Sequence, residues 1–296
     1  MASNNLRIVY RNVVDLPTTT LTPQFTTNAT SYPIGNLKLD TKSATWKADS
    51  SNVTNILVSV GTLTDKINSI ILLNSNLSSS ATIRVLQYSS APTFGGTTGT
   101  PTITPAATAN SGAITCIPYP TNVNTGEWAA FAYNTNTYGL DKNTARIWFT
   151  PPATIYPYIV IQISDAEQSN IEFSRLIMGT YWSPVYNTGY GVSKGISDNS
   201  TNERTEAGDL ITTTGSVFST MSFDLQWMTN ADRVEMLKVL KFNGKRRGMF
   251  ISVFPENTAD FAKEKDFQIY GKLSSTSAIS HPVLDMYSTS IEIEEI

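Results

Sequence analysis

Apolar side chains recur at every second position in a series of short stretches, and at helical spacing in one. The two-residue period appears at Leu6–Val14, Asn55–Val60, Lys66–Asn74, Thr82–Tyr88, Ala145–Phe149 and Tyr158–Ile163. It returns at Leu210–Thr213, Phe218–Trp227, Arg247–Phe254, Asp266–Leu273 and Met286–Ile296. Short runs rich in β-branched and aromatic residues, separated by Gly, Asn, Ser and Pro, predict an antiparallel β-sandwich architecture. The stretch from Ile171 to Trp182 stands between two textures. Its apolar Ile171, Phe173, Leu176 and Met178 predict a half-buried strand, which Gly179 breaks before an aromatic pair. Upstream the chain is Ser/Thr/Asn-rich; downstream it carries most of the charge. The strand therefore closes one β-domain, over 1–179, and leads into a second, over 180–296.

The second half holds the expected helix, over about 230–243. Thr229 or Asn230 can cap it, and Asp232 and Glu235 sit where the helix dipole favours anions. Val234, Leu237 and Leu240, with Met236 and Val239 alongside, form its apolar stripe. Asn243–Gly244 ends it as a left-handed cap. Between about 89 and 119 the chain is low in complexity and poor in large apolar groups, which predicts a long inserted surface loop with at most one short strand.

Charged residues make up 15% and the net charge is −3, so the polar surface must be built from Ser, Thr and Asn, with no basic stripe to bind a phosphate backbone. The single cysteine, Cys116, excludes an intrachain disulfide and is expected to be a small buried apolar residue. The N-terminal segment Met1–Arg7 lacks an apolar signal core, and no run is long enough to span a membrane. That pairing predicts a protein made in a cytoplasm and released as part of a particle.

No constellation points to catalysis, a metal or a cofactor. His281 is the sole histidine and precedes a proline; Glu292, Glu294 and Glu295 read as the solvent side of an alternating strand. Asn28, Asn52, Asn76 and Asn199 open Asn-x-Ser/Thr triplets, which a chain of this composition produces by chance. Trp128, Tyr133 and Tyr138 are candidates for stacking on a sugar, with packing in a core the other reading. Lys245, Arg246 and Arg247 form either a solvated turn or, with Trp182, part of an assembly interface against an acidic neighbour.

The run Asn36–Trp46, followed by Asn55–Val60 and Ile67–Leu77, is similar to the opening of discoidin-like, galactose-binding-like jelly rolls. It departs from them in the 89–119 insertion, so a ligand loop does not carry over. The order Arg175–Trp182, Phe223–Trp227, helix, Phe267–Leu273 and a Glu-rich terminal strand resembles tailed-bacteriophage tail-tip proteins of the distal tail type. That resemblance implies a belt-like C-terminal domain forming a homo-oligomeric ring at the end of the tail tube. It implies a structural virion component, made in the host cytoplasm, whose partners are itself and other tail proteins, with the jelly roll free to meet a host-surface glycan. A free carbohydrate-binding module is the alternative.

Overall fold

The computed structural model describes residues 5–24, 31–48, 53–61, 65–97, 100–116, 143–256 and 261–296. The chain forms two compact units, one of residues 11–181 and one of residues 1–10 with 182–296. The first ten residues thus leave the domain that sequence order assigns them. Strand β1 (Arg7–Val9) has buried Ile8 and Val9, and its backbone groups find their partners in the C-terminal sheet. A strand is placed by the edge that satisfies its ladder, not by its sequence neighbours.

In the unit 11–181, described strands are β2 (Thr20–Gln24), β3 (Trp46–Lys47), β4 (Val53–Ser59), β5 (Ser69–Ser75), β6 (Thr82–Tyr88), β7 (Thr93–Thr97), β8 (Thr100–Thr104), β9 (Ala109–Thr115), β10 (Asn143–Trp148), β11 (Tyr158–Ser164), β12 (Glu172–Phe173) and β13 (Arg175–Gly179). Five of them form the antiparallel sheet β2-β4-β11-β6-β9, and three form β10-β5-β13. The central strand β11 is apolar along one face and at Tyr158 and Val160 on the other, so both faces need cover there. Ile159, Ile161 and Ile163 are buried on one; on the other, Val160 stands level with Leu57 and Leu86.

That second face shows why the expected long loop is not one. The hairpin β7–β8 lays Phe94 and Ile103 over Leu86, Tyr88 and Val160. Strand β9 then pairs with β6 and extends the sheet, and Cys116 follows it fully buried. The described part of the segment is held by backbone pairing, which needs no large side chains, plus two apolar contacts from the hairpin.

An ion cluster around the buried Arg175 ties the N-terminal turns of this unit to β13. Arg175 Nη2 donates to Asp15 Oδ2 at 2.7 Å and pairs with Asp40 Oδ1 at 3.0 Å. Burial pushes the Asp15 carboxyl up, and the Arg175 guanidinium acts against that rise.

In the C-terminal unit the further described strands are β14 (Ser193–Asp198), β15 (Thr201–Arg204), β16 (Leu210–Thr213), β17 (Val217–Met228), β18 (Met249–Ser252), β19 (Gln268–Leu273), β20 (Ser280–Val283) and β21 (Met286–Glu295). They join β1 in a seven-stranded sheet of order β1-β18-β19-β21-β17-β14, with β20 paired to β21, while β15 and β16 pair with each other. Leu6 and Ile8 from one end share a core with Met221 and Phe223 from the other, so the sheet curls onto itself as a sandwich does.

Helix α1 (Asn230–Phe242) closes this core. Thr229 caps it: Asp232 N–H donates to Thr229 Oγ1 at 3.2 Å, and Thr229 N–H donates back to Asp232 Oδ2 at 3.1 Å. The buried face runs through Asp232, Met236 and Val239 to the cap residue Asn243, while Val234 is exposed. The expected stripe is therefore rotated, because the core takes the unbranched Met236 and leaves Val234 outside. Gly244 has φ +50°, the left-handed position expected after the helix. A second, shorter helix, α2 (Phe261–Asp266), lies where sequence reading expected none.

Candidate functional site

Strand β17 is the longest described strand, and its two faces lead to two different surfaces. Alternation puts Val217, Ser219, Met221, Phe223 and Leu225 on one face. Met221, Phe223 and Leu225 are core residues beside Met236 and Val239 of α1. Toward its N-terminal end the same face runs out of the core. There Val217 is 59% exposed, and Ile196 of the neighbouring β14, two pairs further along the ladder, is 78% exposed.

Beyond that point the β14–β17 pair continues as the ribbon β15–β16. Every described residue of β15 and β16 is exposed, Leu210 and Ile211 included. Asn199 N–H donates to Ser216 O at 3.1 Å, which carries the ladder through the waist of the ribbon. Gly215 is required there, since a Cβ at this position would stand 2.3 Å from the Asn199 carbonyl carbon. Ser200 donates through its side chain and its N–H to Asp198, which holds that carboxyl below its ordinary value. The waist is thus locally well bonded although it covers no core.

The other face of β17 points away from α1. With β21 it forms a groove of about 540 Å³. Asp224, Gln226, Ser290 and Glu292 line it from the strands, and residues 275–278 with Ser280 form its wall. Thr289 Oγ1 donates to Ala278 O at 3.0 Å and anchors the wall. Ser275 Oγ donates to Glu292 Oε2 at 3.1 Å, fixing one carboxylate at the rim. Gly189 packs against the Gln226 side chain, where a Cβ would approach to 2.9 Å, and its N–H donates to Asp224 O. Among the described residues the lining holds two carboxylates, a row of hydroxyls and no cation.

Of the residues singled out in the sequence, Trp128, Tyr133 and Tyr138 lie outside the described residues. Trp182 is half-buried against the C-terminal core, and its backbone bonds Ile8 in both directions at 2.8 Å. These bonds attach β1 within the unit. Lys245, Arg246 and Arg247 are exposed in the turn after α1, and Arg247 lies over the Phe242 ring at 4.4 Å. Of the ribbon, β16 was expected as the strand Leu210–Thr213, while β15 and the groove were not. A short strand of exposed polar residues such as β15 has no alternation to read, and a groove lined by Ser and Thr looks like any polar loop.

No group of His, Cys, Asp and Glu able to hold a metal occurs among the described residues. No helix among them is long and apolar enough to cross a membrane.

No family model matches the sequence, and no curated protein matches it. Among solved structures, the chain is similar to the X-ray crystal structure of chitosan-binding module 1 derived from a chitosanase/glucanase of Paenibacillus sp. IK-5. That similarity covers 57% of this chain and 99% of that one, with 16% identity and a TM-score of 0.36.

Proposed function

We propose that this protein is a structural component of a bacteriophage tail tip, built into a homo-oligomeric ring through its C-terminal unit. The observation that carries the reading is the apolar face of β17, which leaves the core and continues uncovered past Val217 and Ile196 onto an exposed ribbon. Uncovered aliphatic side chains on a paired ribbon mark a surface meant for a partner. A ribbon that reaches beyond its own core fits a neighbour in an assembly better than a small ligand. The low-charge, Ser/Thr/Asn-rich surface accords with broad β-type contacts. Such a role needs no catalytic centre. The unit 11–181 would decorate the ring and face other tail proteins or a host-surface glycan.

The test is the native mass of the full chain over a wide concentration range, with electron microscopy of the largest species. A discrete closed oligomer is expected. A monomer at every concentration would overturn the assembly role and leave a free carbohydrate-binding module as the better reading.

A further inference from the structure

The C-terminal unit carries two charged surfaces that do not meet within the chain. One is the turn after α1, where Lys245 and Arg246 are exposed and join no carboxylate among the described residues. Neighbouring Lys241 adds to its charge from the last turn of the helix. The other is the groove on β17 and β21, with Asp224 and Glu292 among hydroxyls. Alternation separates them. Phe223, Leu225, Ile291 and Ile293 face the core that α1 covers, so Asp224, Ser290 and Glu292 open on the opposite side of the sheet.

We propose that the basic turn Lys245–Arg246 of one copy docks in the hydroxyl-lined acidic groove of the next. This rests on the assembly reading above and names the two surfaces that would carry it. The shape of the groove supports the choice of occupant. Hydroxyls beside carboxylates accept hydrogen bonds from ammonium and guanidinium groups while staying solvated when empty. Glu292 is already held by Ser274 and Ser275, so the acceptor is placed before the cation arrives. The turn is similarly set: Arg247 lies over Phe242, and the Arg246 and Arg247 N–H groups donate to Asn243 O, which leaves Lys245 and Arg246 presented outward. Two unlike surfaces on opposite sides of one sheet make a head-to-tail contact, which closes into a ring or continues as a filament.

The experiment uses two charge-reversed full-length chains, Lys245→Glu/Arg246→Glu and Asp224→Lys/Glu292→Lys, with association followed by native mass. Each variant alone should need at least about tenfold more protein to assemble than wild type. An equal mixture should assemble again, because each variant then offers the surface that the other needs. A misfolded variant could not be rescued in this way. As a second measurement, the full-length Arg246→Cys/Ser290→Cys chain should cross-link between copies on oxidation, since Cys116 is buried and cannot compete. A wild-type chain that stays monomeric would refute the assembly reading itself. A wild-type oligomer with no loss in the reversed variants, no rescue on mixing, or no cross-link would refute this contact and leave that reading standing.

Discussion

Trp46 and Phe173 stand opposite each other in the short β3–β12 ladder, their rings meeting edge to face with centroids 5.3 Å apart. Both side chains are fully buried. The pair joins the strand that ends the polar 36–46 run to the strand that opens the closing stretch of the unit. Trp46→Ala removes a fully buried indole ring and should lower stability by about 3–5 kcal/mol, read from thermal or urea melts. An unchanged melting temperature would show that the site collapses without loss and that the ring does not hold the two segments together.

Strands β11 and β21 were legible in the sequence. Ile159, Ile161 and Ile163 announce a buried face, and Ile291 and Ile293 alternate with Glu292 and Glu294. What stayed hidden was pairing at a distance. Nothing in Leu6–Val9 says that its partner is Met249–Ser252, because backbone ladders carry no residue code. Strands β9, β14 and β15 were hidden for another reason. Their side chains are mostly small or polar and exposed, so neither face writes a period into the sequence.

The cap of α1 gives a smaller and sharper expectation. Thr229→Ala leaves the Asp232 N–H without its side-chain acceptor and should cost about 1 kcal/mol, while Thr229→Ser should stay close to wild type. Asp232→Ala should cost more than Thr229→Ala, since Asp232 Oδ2 also accepts from the Thr229 N–H and the Val185 N–H. Equal melting temperatures for all three variants would mean that packing at Met236 and Val239, and not the cap, holds the start of the helix.

Cys116 should couple stability to alkaline pH. Burial pushes its thiol up to about 12, from an ordinary value of 9.0. Below the ordinary value both folded and unfolded chains keep the proton, and the thiol adds no pH dependence. Between the two values the unfolded chain has lost a proton that the folded chain retains, so stability falls as pH rises. The limiting slope is about 1.4 kcal/mol per pH unit. Urea melts of wild type and Cys116→Ala should therefore converge or cross as pH rises from 9.0 toward about 12. A constant difference over that range would mean that the thiol titrates normally. Aromatic-disulfide reagents should likewise leave the native thiol unmodified and react with it in urea.

The ribbon separates stability from assembly more cleanly than any other part of the chain. Ile196 and Val217 lie on the core-facing side of the β14–β17 pair yet are 78% and 59% exposed. Exchanging both for serine should leave the isolated subunit within about 0.5 kcal/mol per site of wild type, because neither side chain is packed. In an oligomer that covers this face, the same exchange removes two aliphatic contacts from a buried interface. Association should then weaken while the melting temperature of the dilute monomer holds. The two quantities are read from native mass at graded concentration and from thermal melts at the lowest concentration. If the melts fall and association is unchanged, the ribbon is packed inside its own subunit in solution. If neither moves, its apolar face stays in water, and the partner must lie elsewhere on the C-terminal unit.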